Sequence, residues 1–223
     1  SESVLRAERD ALSFAAAQLE KARHDIAGLP HAEQVMRLRQ CRSIAMTEIS
    51  RIRKETAMKK LPAAIEHIQE ALANVDRLCV YGHHHDVMDA LAAEFRRIAV
   101  TLDGRTSEAD RQSAVERFQQ GRGVRLFLGS IRAAGLGLTL TAASVVVFVE
   151  LDWTPAAMMQ AEDRLHRIGQ HNPVLVQHLV VDGSIDAKMA RILVEKQAVM
   201  DAALDGGTPA ERDRDILDEV LRA

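Results

Sequence analysis

Val145-Val146-Val147-Phe148-Val149 is apolar at five successive positions and runs into Asp152-Trp153-Thr154-Pro155. Successive side chains of a strand point to opposite faces, so a strand with one wet face alternates polar and apolar residues. An unbroken apolar run instead predicts a strand covered on both faces, as in a parallel sheet with helices above and below. Pro155 then suits the first turn of a following helix.

The same unit recurs on either side of this run. Leu78-Cys79-Val80-Tyr81 before Gly82, Ile98-Ala99-Val100-Thr101-Leu102 before Asp103-Gly104, and residues 124–128 before Gly129 read as strands, with residues 174–181 as a fifth. Helical patterns separate them. Val87, Leu91 and Phe95 mark one; the capping box Ser107-x-x-Asp110 opens another, which carries Val115 and Phe118 and closes at Gly121. Residues 185–204 form a last long helix, and the Gly-, Ala- and Thr-rich residues 129–141 are expected as a loop or short helix. Alternating strands and helices joined by right-handed crossovers predict an α/β fold: a parallel sheet with helices on both faces. Ligands of such sheets bind at the carboxyl ends of the strands. The loops Gly82-His83-His84-His85, Asp103-Gly104-Arg105-Thr106, 129–137 and 152–155 should therefore line one edge.

Ahead of the sheet, Leu12, Ala15, Ala16 and Leu19 fall at helical spacing up to a stop at Gly28-Leu29-Pro30, and Val35, Leu38, Ile44, Ile49 and Ile52 mark a second helix. Residues 1–56 are thus expected as an α-helical hairpin with a structural or partner-contacting role. Pro62 is read as the first turn of a new helix bearing Ile65, Ile68 and Leu72. Residues 57–204 would form the α/β domain and residues 205–223 an acidic polar tail.

Composition bounds the rest. The chain of 223 residues is 47% hydrophobic and 27% charged, as soluble globular chains are. No apolar run approaches the roughly 18 residues that would span a membrane, and Ser1-Glu2-Ser3 lacks the features of a signal peptide. No membrane partner is expected; the chain reads as cytoplasmic, nucleoid-associated in a bacterium or nuclear in a eukaryote. It opens without a Met, which suggests a fragment or a processed chain. Cys41 and Cys79 have neither metal nor CxxC spacing and read as reduced thiols. A net charge of −3 argues against indiscriminate attraction to nucleic acid. Its distribution is uneven: residues 1–60 carry 12 Lys/Arg against 8 Asp/Glu, and residues 200–223 carry 3 against 7.

Chemistry concentrates in a few places. Residues 160–170 read as an amphipathic helix ended by Gly169, with Gln160, Arg164 and Arg167 on one face and Ala157, Ala161, Leu165 and Ile168 on the other. Two guanidiniums on a rigid element, with Gln160 and Asp163 beside them, suit the charge on a transferring phosphoryl group; a solvated face with an Asp163/Arg167 pair is the alternative. Gly135-Leu136-Gly137, with Ser130 and Arg132 ahead, offers amides, a hydroxyl and a guanidinium to a phosphate. It is not the dinucleotide fingerprint, because Leu140 stands where a third glycine would be. Arg105 and Thr106, before the capped helix, form a similar group. Consecutive histidines at 83–85 point in different directions and have no HExxH or Cys/His complement, so no metal site is assigned. Trp153 reads as a packing anchor and Asp218-Glu219 as surface. GxxxxGK[ST] does not occur, so no phosphate-cradling P-loop is present.

Taken together, Val80-Tyr81 with Asp89-Ala90-Leu91, Asp103-Gly104-Arg105-Thr106 with Arg111, Val115 and Phe118-Gln119, Ser130-Ile131-Arg132-Ala133-Ala134-Gly135-Leu136-Gly137-Leu138-Thr139-Leu140, Asp152-Trp153-Thr154-Pro155 and residues 160–170 resemble the second RecA-like lobe of Swi2/Snf2 proteins in helicase superfamily 2. The resemblance covers roughly residues 61–200 and is nearest to the annealing-helicase group, the HepA-related or SMARCA-like proteins. Three positions depart from the family pattern: Ile131 where threonine is common, Ala134 where glycine is, and Thr139 where asparagine is.

The resemblance implies a RecA-like C-terminal lobe of a DNA-dependent ATPase that translocates on duplex or forked DNA. Arg164 and Arg167 would be arginine fingers, with Gln160 organising their interface and Gly135, Gly137 and Asp163 coupling to the nucleotide. Thr106, Arg105, Ser130 and Arg132 would meet the DNA backbone, and the helical residues 1–56 would be a protrusion or linker. ATP with Mg2+ would be held mainly by an N-terminal RecA-like lobe of the same protein, without which this chain is expected to be inactive. The alternative is a non-catalytic module that uses the same loops to bind DNA or a protein. A Rossmann-type nucleotide enzyme fails on the missing fingerprint.

Overall fold

Val145, Val146, Val147 and Phe148 form a strand with every residue buried, and the sheet grows around it. The computed structural model describes residues 2–26, 28–121, 123–204 and 219–220. Its elements run α1 (Glu2–Asp25), α2 (His31–Asn74), β1 (Leu78–Gly82), α3 (His85–Glu94), β2 (Ala99–Leu102), α4 (Glu108–Gln120), β3 (Leu126–Ser130), a 3₁₀ helix (Ile131–Leu136), β4 (Val145–Phe148), α5 (Pro155–Glu162), β5 (Leu175–His178) and α6 (Ile185–Leu204). The five strands lie in the order β2-β3-β1-β4-β5. All four pairings are parallel, with Val80 opposite Leu128 on one side and Val147 on the other.

Strand alternation divides the core in two. Leu78, Val80, Leu126, Leu128, Val145 and Val147 face Ala64, Ile68 and Leu72 of α2 and Val87, Met88 and Leu91 of α3. Cys79, Tyr81, Phe127, Val146 and Phe148 face the other way, onto Phe118 of α4, Met158 of α5 and Met189 of α6. The central strands are thus apolar throughout because both faces are roofed. β5, expected over 174–181, is shorter and only half-buried, as suits an edge strand.

The helical hairpin is not a peripheral appendage. Leu12 and Ala15 of α1 and Ala45 and Ile49 of α2 belong to the same core as the sheet. No break falls near residue 56, and Pro62 lies inside α2 rather than in a first turn. Proline there forgoes one helical hydrogen bond. Tertiary anchors on both sides carry the helix through it. Arg53 donates to Asp186 at 2.8 Å and to the Leu151 carbonyl at 2.7 Å. Lys60 donates to the Leu179 carbonyl at 2.8 Å and to Asp186 at 3.1 Å. Glu8 of α1 accepts from the Thr56 hydroxyl and from the Ile185 amide. The guanidinium of Arg53 also lies 4.9 Å over the ring of Trp153, which is the packing anchor expected of it.

Two further expectations meet the structure at the helix ends. Ser107 caps α4, accepting from the Asp110 amide, and Gly121 closes it at φ 71°. Most of the expected tail lies outside the described residues, Asp218 included. Of the remainder, Glu219 stands 3.5 Å from Lys196 and Val220 is buried in the core.

Asp186 is the buried anion on which α2 converges. Burial alone would raise its carboxyl, but Arg53 and Lys60 outweigh burial and hold it below the usual aspartate range. Its contribution to stability is therefore present above the unfolded value, about 3.9, and is lost as pH falls through the lower folded one. Asp186→Ala strands two buried cations and should cost about 3–5 kcal/mol in urea unfolding at neutral pH. The same variant should lose less stability than the wild type below about pH 4. An unchanged urea midpoint would show that the ion cluster carries no net stability.

Candidate functional site

The loops that leave β1, β2, β3 and β4 open along one edge, and two buried carboxylates organise them. Glu150 follows the apolar run of β4. One of its oxygens accepts the amides of His83 at 2.8 Å and His84 at 2.9 Å, while the other meets Nδ1 of His84. Nε2 of His84 lies 3.0 Å from the Ser50 hydroxyl, so this ring ties α2 to the carboxyl ends of β1 and β4. Burial would raise Glu150, but the His84 ring and the two amides outweigh it and hold the carboxyl down. Asp152 accepts from the Thr154 amide at 2.9 Å. Its other oxygen lies 3.3 Å from His83 Nδ1 and 3.5 Å from Arg132 Nε. Burial again opposes ionisation, and His83, the Thr154 amide and Arg132 together hold Asp152 well below the usual range.

Between the loops after β1, β2 and β3 lies a cavity of about 360 Å³ lined by His83, His85, Gly104, Arg111, Ser130 and Arg132. Two of the expected phosphate contacts, Ser130 and Arg132, meet there. Arg132 is 76% exposed at its side chain and so can reach outward. Arg105 is placed differently. It binds Asp103 through Nε at 2.9 Å and Asp89 through both terminal nitrogens, and is thus neutralised within the chain. Its neighbour Thr106 accepts the Asp103 amide at 3.0 Å, which leaves the hydroxyl hydrogen to donate elsewhere.

The stretch 160–170 departs from the expected single helix. α5 ends at Glu162, and residues 163–169 are turns, so Gln160, Arg164 and Arg167 do not share a helix face. The cause is tertiary. The Arg164 carbonyl accepts the Leu140 amide at 2.9 Å, the Leu165 carbonyl accepts the Gln170 side chain, and Leu165 is fully buried. Carbonyls paired in this way no longer need the helix. Ile168, expected on the packing face, is fully exposed.

The two arginines consequently differ. Arg164 is 7% exposed, its Nε has no hydrogen-bond partner, and no carboxylate pairs with it among the described residues. It lies within electrostatic reach of Tyr81, whose hydroxyl is likewise buried without a partner. Arg167 is exposed and folds back, donating to the Gly137 carbonyl at 3.0 Å and the Thr139 hydroxyl at 3.3 Å. Gly137 itself ends the 3₁₀ helix at φ 75°, a left-handed conformation that glycine adopts freely. Gln170 and Gln119 fasten the remainder of that loop, donating to the Ala143 carbonyl at 2.7 Å and the Thr141 hydroxyl at 3.2 Å. Gln160 and Asp163 are exposed beside the arginines. Gly135 lies within the 3₁₀ helix.

Sequence reasoning put the loop 152–155 on this edge without a role for Asp152, and it missed Glu150 and Arg111 there. An acid directly after an apolar strand was the signal for Glu150. Arg111 reaches the cavity from the first turns of α4, which no local pattern reveals. Among the described residues no group of three or more His, Cys, Asp or Glu side chains is arranged to hold a metal ion, and no helix is long and apolar enough to cross a membrane.

The family described as "Helicase conserved C-terminal domain" matches residues 59–169. The chain is 41% identical over 152 residues to "SWI/SNF-related matrix-associated actin-dependent regulator of chromatin subfamily A-like protein 1" of Bos taurus, a match covering 66% of this chain and 16% of that protein. It is 38% identical over 162 residues to "DNA annealing helicase and endonuclease ZRANB3" of Homo sapiens, covering 71% and 15%. The chain thus spans about a sixth of the length of these curated relatives. Among solved structures it resembles "Sulfolobus solfataricus SWI2/SNF2 ATPase core in complex with dsDNA", with a TM-score of 0.56 and 22% identity over 85% of this chain and 42% of that one. It also resembles "Crystal structure of the C-terminal part of Fun30 ATPase domain", with a TM-score of 0.54 and 24% identity over 60% and 44%. These structural likenesses establish the fold.

Two outcomes follow from the local geometry. A Cβ on Gly129 would lie 2.6 Å from Tyr81 Cε1 and 2.9 Å from Phe127 Cε1, so Gly129→Ala should destabilise the chain by about 1–3 kcal/mol in urea unfolding. Burial, and next the neighbouring Asp163, push the Glu162 carboxyl up to about 7. A raised folded value means that stability is present below the usual glutamate range and is lost as pH rises through that midpoint. Carboxyl carbon NMR should give Glu162 a midpoint near 7. Glu162→Gln should remove its share of the decline in stability between about pH 5 and about pH 8.

Proposed function

Because the chain belongs to the Swi2/Snf2 family of helicase superfamily 2 and is a RecA-like C-terminal lobe of that family, we propose that it forms half of a DNA-dependent ATPase motor of the annealing-helicase type. The observation that carries this reading is Arg164, a buried guanidinium without a carboxylate partner among the described residues. A desolvated cation is costly unless an anion faces it. On this reading the anion is the phosphate chain of ATP, held across a cleft by the P-loop of an N-terminal lobe.

Arg167 supplies the second charge. Its hydrogen bond to the Gly137 carbonyl joins the arginine segment to the loop that begins at Ser130 and Arg132. When the lobes close, its guanidinium would exchange this carbonyl for a γ-phosphate oxygen, where it stabilises charge as the phosphoryl group transfers. Releasing the carbonyl frees the loop whose Ser130 and Arg132 would face DNA; the Thr106 hydroxyl would be a further contact to the backbone. Nucleotide state and grip on the backbone are linked in this way, and alternate closure and opening would step the protein along duplex or forked DNA. Mg2+ would neutralise the phosphates from the other lobe; in this chain Gln160 and Asp163 border the cleft. The helical hairpin, fused to the lobe through α2, would set its position relative to the partner lobe.

In the two-lobed protein, Arg167→Ala should lower DNA-stimulated ATP turnover about 10³-fold. Near-normal turnover in that variant would contradict the assignment.

A further inference from the structure

A cleft of about 660 Å³ lies on the edge of the sheet opposite the site loops. The last turns of α2, the end of α3 and Arg125 border it, and these segments lead into the amino ends of β1, β2 and β3. Its volume is within the roughly 300–1,000 Å³ of pockets that hold ligands. Leu72 and Phe95, both 6% exposed, form an apolar floor with half-buried Ile98. Ala73 of α2 and Ala93 of α3 are exposed on the walls, and their methyl side chains leave space that a longer residue would fill.

Charge gathers at the rim. Arg96 and Arg97 directly follow the end of α3, are exposed, and have no carboxylate partner among the described residues. Arg125 closes the end of α2, donating to the carbonyls of Leu72 at 2.7 Å, Val75 at 2.8 Å and Asp76 at 2.9 Å. Those partners are neutral, so its charge is not cancelled by an anion. Asp76 itself, just outside the lining, stands 3.6 Å from Arg77. Glu94 is the one acid of the lining, and three guanidiniums therefore face one carboxylate.

An apolar floor under a cationic rim selects its occupant by chemistry. A DNA backbone would use the arginines but gain nothing from Leu72 and Phe95. A small apolar molecule would use the floor and leave the arginines unpaired. A peptide that carries an aliphatic or aromatic side chain beside Asp or Glu uses both, because the side chain is buried while the carboxylates take forked hydrogen bonds from the guanidiniums. We infer that this cleft is a docking site for an acidic segment of a partner protein, anchored between α2 and α3 by an apolar side chain and held at the rim by Arg96 and Arg97. The site goes beyond the motor reading and does not depend on it: a partner held at the amino edge leaves the loops at the carboxyl edge free.

The test selects peptides from a random phage-displayed library against this chain, then measures the enriched sequences as synthetic peptides by fluorescence anisotropy. Enriched sequences should carry Asp or Glu beside Leu, Ile or Phe. Arg96→Glu/Arg97→Glu should weaken their binding on the order of tenfold. Ala73→Trp, at an exposed position that can take the larger side chain, should weaken it as much by filling the cleft. Should the charge reversal fail to fold, Arg96→Gln/Arg97→Gln should still weaken binding by about fivefold. In the two-lobed protein, DNA-stimulated ATP turnover should not change on Arg96→Glu/Arg97→Glu. No enrichment, enriched peptides without acids, or peptides that bind the arginine and Ala73 variants like the wild type overturns the docking site and leaves the motor reading standing. Duplex DNA that displaces the peptide and itself loses affinity on Arg96→Glu/Arg97→Glu would assign the arginines to nucleic acid, and a fall in turnover would make them part of the motor; either result overturns the peptide assignment.

Discussion

Asp186, buried at the start of α6, accepts from Arg53 and Lys60 of one helix, and much of the lobe is located by that junction. The same two cations also bind the carbonyls of Leu151, just past β4, and Leu179, just past β5. A buried ion cluster adds little net stability over well-packed apolar residues, yet it tolerates few alternative geometries. Here it fixes α2 against the carboxyl ends of two strands. Glu8 adds α1 through Thr56 and the Ile185 amide. The helical hairpin is therefore part of the frame that holds the site loops.

That frame explains how the edge can carry so many charges. Glu150 and Asp152 are buried and ionised because amides and histidines meet them, and Glu150 in turn fixes the histidine loop. Arg105 is spent on Asp89 and Asp103 and shapes its loop instead of reaching out. The two ends of the edge differ: Arg132 and the cavity are open at one, while at the other Arg164 is buried and Arg167 is exposed, with the loop from Ser130 to Gly137 between them.

Local rules made the sheet legible. The apolar run of β4, the capping box at Ser107 and the stop at Gly121 each act through near neighbours, and β1 to β4 formed within a residue or two of where such signals put them, while the edge strand β5 ended three residues short. Long-range partners were not legible. Pro62 looked like a helix start because Asp186, more than a hundred residues away, is what carries α2 past it. Residues 160–170 looked helical because their periodicity is helical; Leu140 and Gln170 take the carbonyls that would have continued the helix. The identities of Arg164 and Arg167 were readable, but not that one is buried and the other folded onto Gly137.

On the proposed reading, these arginines complete a nucleotide site held by another lobe. The most direct measurement is a crystal structure of the two-lobed protein with ADP and aluminium fluoride in the cleft. Arg167 should leave the Gly137 carbonyl and lie within about 3 Å of a fluoride, with Arg164 facing the same group. Arg167 still bound to Gly137, with the analogue fully seated and the lobes closed, would contradict it.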